Sequence, residues 1–166
     1  MEVRGMTAEV YEVMAQLAII QREIIDPLSN KNMISFDNAP YTISVADMPL
    51  FVNFPGPLNM NQLAGSDEKG REFNETRIYT MNLFHSAVGT GIEGEKIGLL
   101  TPYFHLVYNK FGQYPHLKAL AGVMDAKLIA DSGINGNLQF SGQKYFGIRF
   151  SLQVLSRTRR TLGEGD

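Results

Sequence analysis

Three glycines between a strand-like segment and a helix-like segment are the residues most directly suited to chemistry. Positions 89–94 read G-T-G-I-E-G, which spells the pattern G-x-G-x-x-G. An amphipathic strand pattern over 77–88 precedes them, and an apolar stripe typical of a helix follows and ends at Phe111. In this context a glycine-rich turn can hold a dinucleotide pyrophosphate at a helix N-terminus. One hypothesis is therefore a small nucleotide-binding enzyme that uses Gly89, Gly91 and Gly94.

The surroundings of these glycines favour a different interpretation. The strand before a dinucleotide turn is continuously apolar, whereas this one carries Arg77, Thr80, Asn82 and His85. Pro102 interrupts the following helix, and Glu93 and Glu95 place negative charge where a pyrophosphate would bind. We therefore predict an architectural strand-to-helix turn that needs positive φ angles, with no cofactor.

No other group of residues has the spacing of a catalytic or metal site. His85, His105 and His116 fall on a strand, a helix and a loop, without a carboxylate partner at metal-ligand spacing. The serines lack the G-x-S-x-G pattern of a nucleophile, and Ser132 lies in a turn-like D-S-G-I sequence. We predict no catalytic residue, no cofactor and no metal, and we expect the protein not to be an enzyme.

Length and composition set limits on the class of protein. A chain of 166 residues with 44% hydrophobic residues is typical of one globular domain, 1–166. The absence of cysteine excludes disulfides and fits folding in a reducing cytoplasm. A net charge of −2 gives no overall basic footprint for nucleic acid. No apolar run reaches the ~18 residues of a membrane span, and the N-terminus lacks the apolar core of a signal peptide. We expect a soluble chain that folds inside the cell.

The chain begins and continues with recognisable helix and strand patterns. A first helix is predicted from an N-cap at Thr7 to the break at Pro27. Short extended pieces follow at 33–36 and 41–45, and a strand at 49–54 is expected to stop at P-G-P. Thr101-Pro102 forms a good N-cap and first-turn pair, so the second helix should run 102–111. Residues 95–100 would then be an earlier turn or a kinked first segment.

The clearest periodicity lies near the C-terminus. Apolar residues alternate with polar or small ones at Phe146, Ile148, Phe150, Leu152 and Val154. Period two over this length predicts a strand with one buried face and favours an antiparallel sheet. Shorter strands are expected at 123–130 and 138–140, separated by a turn at 131–133. The predicted fold class is α+β, a mostly antiparallel sheet flanked by two helices, with a long central loop.

Two polar segments are candidates for an interface. Residues 56–75 are predicted to be a long loop, either a mobile arm or an idle solvated connection. The tail 156–166 is basic and then acidic, and it could equally be a solvated strand end. The candidate interface residues are Asp67, Glu68, Lys69, Arg71, Arg149, Arg157, Arg159 and Arg160.

The order of these elements resembles the tail terminator, or tail-completion, proteins of long-tailed bacteriophages. The residues that carry the resemblance are T-R-I-Y at 76–79, G-I-E-G-E at 91–95, L-T-P at 100–102 with Phe104, Val107 and Phe111, and Y-F-G-I-R-F at 145–150. The resemblance covers roughly residues 7–155.

The resemblance implies a structural virion protein. Proteins of this family form a hexameric ring that caps the completed tail tube and provides the surface that joins it to the head. The implied partners are further copies of the chain, the tail tube protein and the neck or head-completion proteins, with DNA passing through the ring without sequence-specific binding. The implied location is the tail or neck of the virion, and the host cytoplasm during assembly. Neighbouring neck proteins have similar folds, so another neck or head-completion connector is an alternative station.

Overall fold

The computed structural model describes residues 9–62, 70–89 and 93–161, with backbone alone at 60–62, 70–73, 93 and 158–161. Two helices and five strands make up the described fold. One short 3-10 helix, Val45–Asp47, lies between the first two strands. The helices are α1 Val10–Gln21 and α2 Glu93–Gly112, and the strands are β1 Ile34–Ser35, β2 Leu50–Gln62, β3 Gly70–Ala87, β4 Val123–Phe140 and β5 Gln143–Thr161. The predicted α+β class is confirmed.

The strands form one sheet in the order β1-β2-β3-β5-β4. β1 pairs with β2 in parallel over two residue pairs, and every other pairing is antiparallel. β3 is the central strand, since β2 and β5 lie on either side of it. Because β2 and β5 both run opposite to β3, they run parallel to each other.

Both helices pack on one face of this sheet. Apolar side chains of α1 and α2 meet the inward side chains of β2, β3 and β5 in the larger core cluster, which includes Leu17, Ile20, Leu100, Tyr103, Val107, Met81, Ile148 and Phe150. The predicted buried face of β5 is confirmed, because all five of its apolar positions from 146 to 154 are buried. The opposite face is only partly exposed, because Tyr145 and Gly147 are buried as well. A smaller apolar cluster of Leu50, Val52, Phe84, Leu138 and Tyr145 is separate from the larger one. Its two β2 members, Leu50 and Val52, alternate with Phe51 of the larger cluster. Because successive side chains of a strand point to opposite faces, the smaller cluster lies on the opposite face of the sheet.

The end of the first helix differs from the prediction. α1 ends at Gln21, several residues before Pro27. The buried Gln21 side chain donates to Asn53 Oδ1 at 2.6 Å and accepts from Ser35 at 2.6 Å, so it ties the helix end to β2 and β1. The chain then reverses, as Met33 N donates to Ile24 O at 2.9 Å. The N-cap position is Glu9, without a side-chain cap bond, and Thr7 lies outside the described residues.

The second helix is longer than predicted. α2 runs unbroken through Pro102, rather than beginning there. Pro102 has no N–H to donate to Gly98 O, four residues earlier in the helix. The neighbouring Thr101 Oγ1 donates to a different carbonyl, Ile97 O, at 2.7 Å. The buried side chains of Leu100, Tyr103 and Val107 lie on both sides of the proline. Packing of this apolar stripe therefore outweighs the helix-breaking tendency of Pro102.

The predicted loop 56–75 is wrong over most of its length. β2 continues through Pro55-Gly56-Pro57 to Gln62, and β3 already begins at Gly70. The two strands pair from Leu58 opposite Arg77 to Gln62 opposite Phe73, after an irregularity between Pro55 and Leu58. A proline at an edge strand costs no ladder bond when its nitrogen faces outward, so the P-G-P sequence bends the strand without ending it.

Other strand boundaries also differ from the prediction. β4 is continuous from Val123 to Phe140, and the expected turn at 131–133 is an irregularity within it, where Gly133 has φ +70°. The extended piece predicted at 33–36 is present as β1. The one predicted at 41–45 is not a strand, and the 3-10 helix begins at its last residue.

Candidate functional site

The distal halves of three strands form a regular ribbon, which we call the arm. It consists of residues 58–62 of β2, 70–77 of β3 and 157–161 of β5. Its β3 segment has eight residues and spans roughly 26 Å at about 3.3 Å per residue. None of the arm side chains that the structure describes is buried. Where its side chains are described, at 58–59, 74–77 and 157, the arm is therefore held by backbone pairing rather than by the core.

The root of the arm is fixed by close contacts at the P-G-P sequence. Arg77 Nη1 donates to Gly56 O at 2.7 Å, across from β3 to β2. A Cβ on Gly56 would lie 2.3 Å from Ile78 O, so only glycine allows the two backbones to approach this closely. The irregularity of β2 is thus a built joint from which the arm extends.

The two outer edges of the arm are open. β4 leaves β5 at Ser156, and β1 covers only Leu50 and Phe51 of β2. Among the described residues, no strand pairs with the outer side of 58–62 or of 157–161. An open strand edge presents unpaired N–H and C=O groups and is a template for pairing with another chain.

The sheet edges outside the arm are protected in the usual ways. β4 has four register irregularities along its pairing with β5, and β2 carries Pro55 and Pro57 at the root of the arm. Bulges and prolines both hinder the addition of another strand. Within the arm, by contrast, the pairings of β2 with β3 and of β3 with β5 show no shift. The arm edges are therefore the best-formed pairing surfaces of the described chain.

The structure brings together four of the predicted interface residues. Arg157, Arg159 and Arg160 belong to β5 rather than to a free tail. The predicted tail 156–166 is therefore wrong for residues 156–161, which are part of the strand. Their register partners are Asn74, Glu72 and Arg71, respectively, which places Arg71 in the same arm. Asp67, Glu68 and Lys69 lie outside the described residues.

Arg149 does not belong to this group. It lies eight positions before Arg157 along β5, roughly 26 Å away at about 3.3 Å per residue. Its exposed side chain is held on the sheet by Asn82, whose Oδ1 accepts from Arg149 Nε at 3.1 Å. Its register partner is also Asn82. The predicted basic concentration therefore splits into an arm part and a separate residue on the sheet face.

The open edge at 58–62 was missed from the sequence, although a signal was present. Leu58 and Met60 alternate with Asn59 and Asn61, which is the period of a strand. The many asparagines and the P-G-P sequence are typical of a loop and outweighed that short alternation.

The glycine-rich turn is described only at its ends. Gly89 has φ +86°, as expected for a turn that needs a positive φ, and residues 90–92 lie outside the described ranges. A Cβ on Gly94 would meet nothing within 4 Å. Just inside α2, Lys96 is buried, lies 4.8 Å from the ring centre of Phe146 and donates from Nζ to Ala87 O at 2.9 Å. This lysine is engaged in joining the helix to β3 and β5.

A buried polar cluster surrounds Asp26, beside the middle of α2. Tyr103 and Ser29 each donate a hydroxyl hydrogen bond to its carboxylate, and the Leu28 and Ser29 amides donate as well. Burial alone would raise the pKa of Asp26, but these hydrogen bonds outweigh it and hold the pKa below its usual range. Because both carboxylate oxygens accept hydrogen bonds, the cluster fixes the turn after α1 against α2.

The histidines do not converge on a common site. His85 contacts the Tyr103 ring edge-on, with ring centres 5.8 Å apart. Burial lowers the pKa of His85, and this effect outweighs the negative charge of Asp26, which would raise it. His105 contacts Asn109 on the exposed side of α2, and His116 is exposed in the following loop. Within the described ranges, no three His, Cys, Asp or Glu side chains are grouped as a metal site would require.

An open groove of about 460 Å³ lies between the start of α1 and the edge of β2. Val10, Tyr11 and Met14 line one side, and Phe54 and Pro55 line the other. The lining also includes Asn53, whose amide is already bonded to Gln21. The groove offers apolar contact rather than converging reactive groups.

Comparison with models of known protein families, and with curated protein sequences, finds no match to this chain. In the part of the chain that the structure describes, no helix is long and apolar enough to cross a membrane.

Proposed function

We propose that this chain is a structural subunit that assembles with further copies into a ring at the head–tail junction of a long-tailed bacteriophage. In this role the ring caps the completed tail tube and joins it to the head, as the sequence resemblance implies. The same resemblance gives a hexamer, with the tail tube protein and the neck proteins as its partners and the channel as the path for DNA.

The observation that carries the proposal is the open-edged arm. A ring subunit needs two different surfaces that complement each other, because head-to-tail contacts close by rotation. The arm supplies two different outer edges, one in β2 and one in β5. Within the described residues both arm edges are regular and have no covering strand, whereas the other sheet edges carry prolines or bulges.

The connector station is the second candidate from the same class. It rests on the same arm and the same fold, and differs only in which proteins bind above and below the ring. The nucleotide-binding enzyme is the weaker candidate, because Lys96, a buried cation close to the glycine turn, is already bonded to the Ala87 carbonyl.

Disruption of the gene in the phage or prophage that encodes this chain tests the proposal. With a stop codon early in the gene, we expect filled heads separate from tails, and tails of uncontrolled length, in electron micrographs. Tails of normal length beside leaking heads would favour the connector station. Complete, infectious virions would contradict both.

Complementation then tests whether the arm carries the role. Supplying the wild-type chain from a plasmid should restore virions, and Arg157→Glu should restore them poorly because it changes the charge at the arm edge. Lys144→Glu is the matched control, since Lys144 is also exposed but lies at the opposite end of β5. Equal complementation by both variants would contradict the role of the arm in assembly.

A further inference from the structure

We infer that neighbouring copies join through their arms, with β5 of one copy pairing in parallel with β2 of the next, so that the sheet continues from subunit to subunit. The inference rests on the proposed ring and specifies its contact. The occupant of each open arm edge is thus a second copy of this chain.

The strand directions determine the type of pairing. β2 and β5 run parallel within one subunit, because both are antiparallel to β3. If the arm strands run along the ring axis, rotation about that axis leaves their direction unchanged. The β5 edge of one arm therefore meets the β2 edge of the next as a parallel pair. A two-fold dimer would instead bring together two copies of the same edge.

The charges of the two edges favour this unlike pairing. The β5 edge carries Arg157, Arg159 and Arg160, whereas residues 58–62 of β2 read L-N-M-N-Q and carry no charge. Pairing β5 with its own copy would set arginines against arginines, and like charges on facing strands are destabilising. Pairing β5 with β2 avoids that repulsion, because the β2 segment carries no charged residue.

The contacts at the root of the arm explain why pairing between copies would be confined to the arm. Pro55 and Pro57 remove two backbone donors just before Leu58, so strand addition along β2 stops at the joint. On the other side, β4 occupies β5 up to Ser156. Each edge is therefore available over about five residues, which is a usual length for a strand contact.

The natural absence of cysteine allows a direct test by cross-linking the full chain. Asn59 and Arg157 are both exposed, one on each arm edge. Asn59→Cys, Arg157→Cys and the double variant would be treated with a short bifunctional thiol reagent and separated under denaturing conditions. Tyr41→Cys is the collision control, because Tyr41 is 98% exposed and its carbonyl contacts Ser141, at the end of the sheet away from the arm. Light scattering of each variant reports its oligomeric state.

Unlike pairing predicts a ladder of covalent oligomers from the double variant and only dimers from a mixture of the two single variants. Each single variant alone should then cross-link no more than Tyr41→Cys. Dimers from Asn59→Cys alone or Arg157→Cys alone would overturn the inference in favour of like pairing. An oligomeric protein whose mixture of single variants gives no dimers above the control would overturn the inference and leave the proposed ring standing. A protein that stays monomeric would overturn the ring itself.

Discussion

The phenol hydroxyl of Tyr103, in the middle of α2, donates a hydrogen bond to the carboxylate of Asp26, 77 residues earlier in the chain. Both residues are buried, at 0% and 3% exposure. The carboxylate also accepts from the turn that follows α1, so one side chain ties that turn to the middle of α2. Burial and the bond to Asp26 together raise the pKa of Tyr103, which keeps its hydroxyl protonated as the donor.

Removal of the Tyr103 hydroxyl should destabilise the fold. We expect Tyr103→Phe to lower the free energy of unfolding by about 1–3 kcal/mol, because a buried carboxylate loses a donor. Urea unfolding at neutral pH measures the change. The matched control is Tyr108→Phe, whose hydroxyl donates to the exposed Asp131 at 3.1 Å and should matter by less than about 0.5 kcal/mol. Equal losses in both variants would show that the Asp26 contact is no stronger than a surface one.

The same carboxylate should make stability depend on pH. The pKa of Asp26 is lowered in the folded state, so its stabilisation is present above its unfolded pKa and is lost as the pH falls through the folded pKa. We expect the free energy of unfolding of the wild type to fall more steeply than that of Asp26→Asn below about pH 4. Denaturant titrations across this range provide the comparison. Parallel curves would show that Asp26 is not the group responsible.

Gly147 should be the glycine least tolerant of substitution in the sheet core. A Cβ there would lie 1.8 Å from Leu83 O and 2.8 Å from Leu138 Cδ1, so β5 would have to move away from β3. Overpacking of this kind costs about 1–3 kcal/mol, and we place Gly147→Ala at or above the upper end. Gly98→Ala is the control, because nothing lies within 4 Å on the surface of α2, and it should gain up to about 1 kcal/mol. Thermal unfolding of the two variants measures the change. Equal melting temperatures for Gly147→Ala and Gly98→Ala would contradict the close approach of β5 to β3.

The glycine turn should not bind nucleotides. Positions 93 and 95 in the first turn of α2 are acidic, and their negative charge would repel a phosphate bound at the helix start. We expect no heat of binding on titration with NAD(P) or ATP. A micromolar dissociation constant that Gly91→Val abolished would instead favour the enzyme hypothesis.

The parts of the fold that were predictable are those where burial follows a strict period. The alternation from Phe146 to Val154 predicted β5, because each apolar residue of that run reaches the core. The helical stripe after Pro102 was predicted for the same reason. Its true start at Glu93 was not, since a proline within a helix is tolerated only when tertiary packing stabilises both sides.

The arm could not be predicted from burial, because none of its described side chains is buried. Its strands are defined by pairing partners that are distant in sequence, such as Asn74 and Arg157. The basic residues at 157–160 were singled out by charge, which located one edge of the candidate interface but described it as a tail. The opposite edge at 58–62 has no charge and was assigned to a loop.

The most direct test of the proposed ring is the mass of the purified full-length chain under native conditions. The proposal predicts one closed oligomer that is an integer multiple of the 18.5 kDa subunit, six by the family resemblance, with a central opening in electron micrographs. Native mass spectrometry over a range of concentrations gives the mass without assumptions about shape. A single species of 18.5 kDa at every concentration would contradict the account.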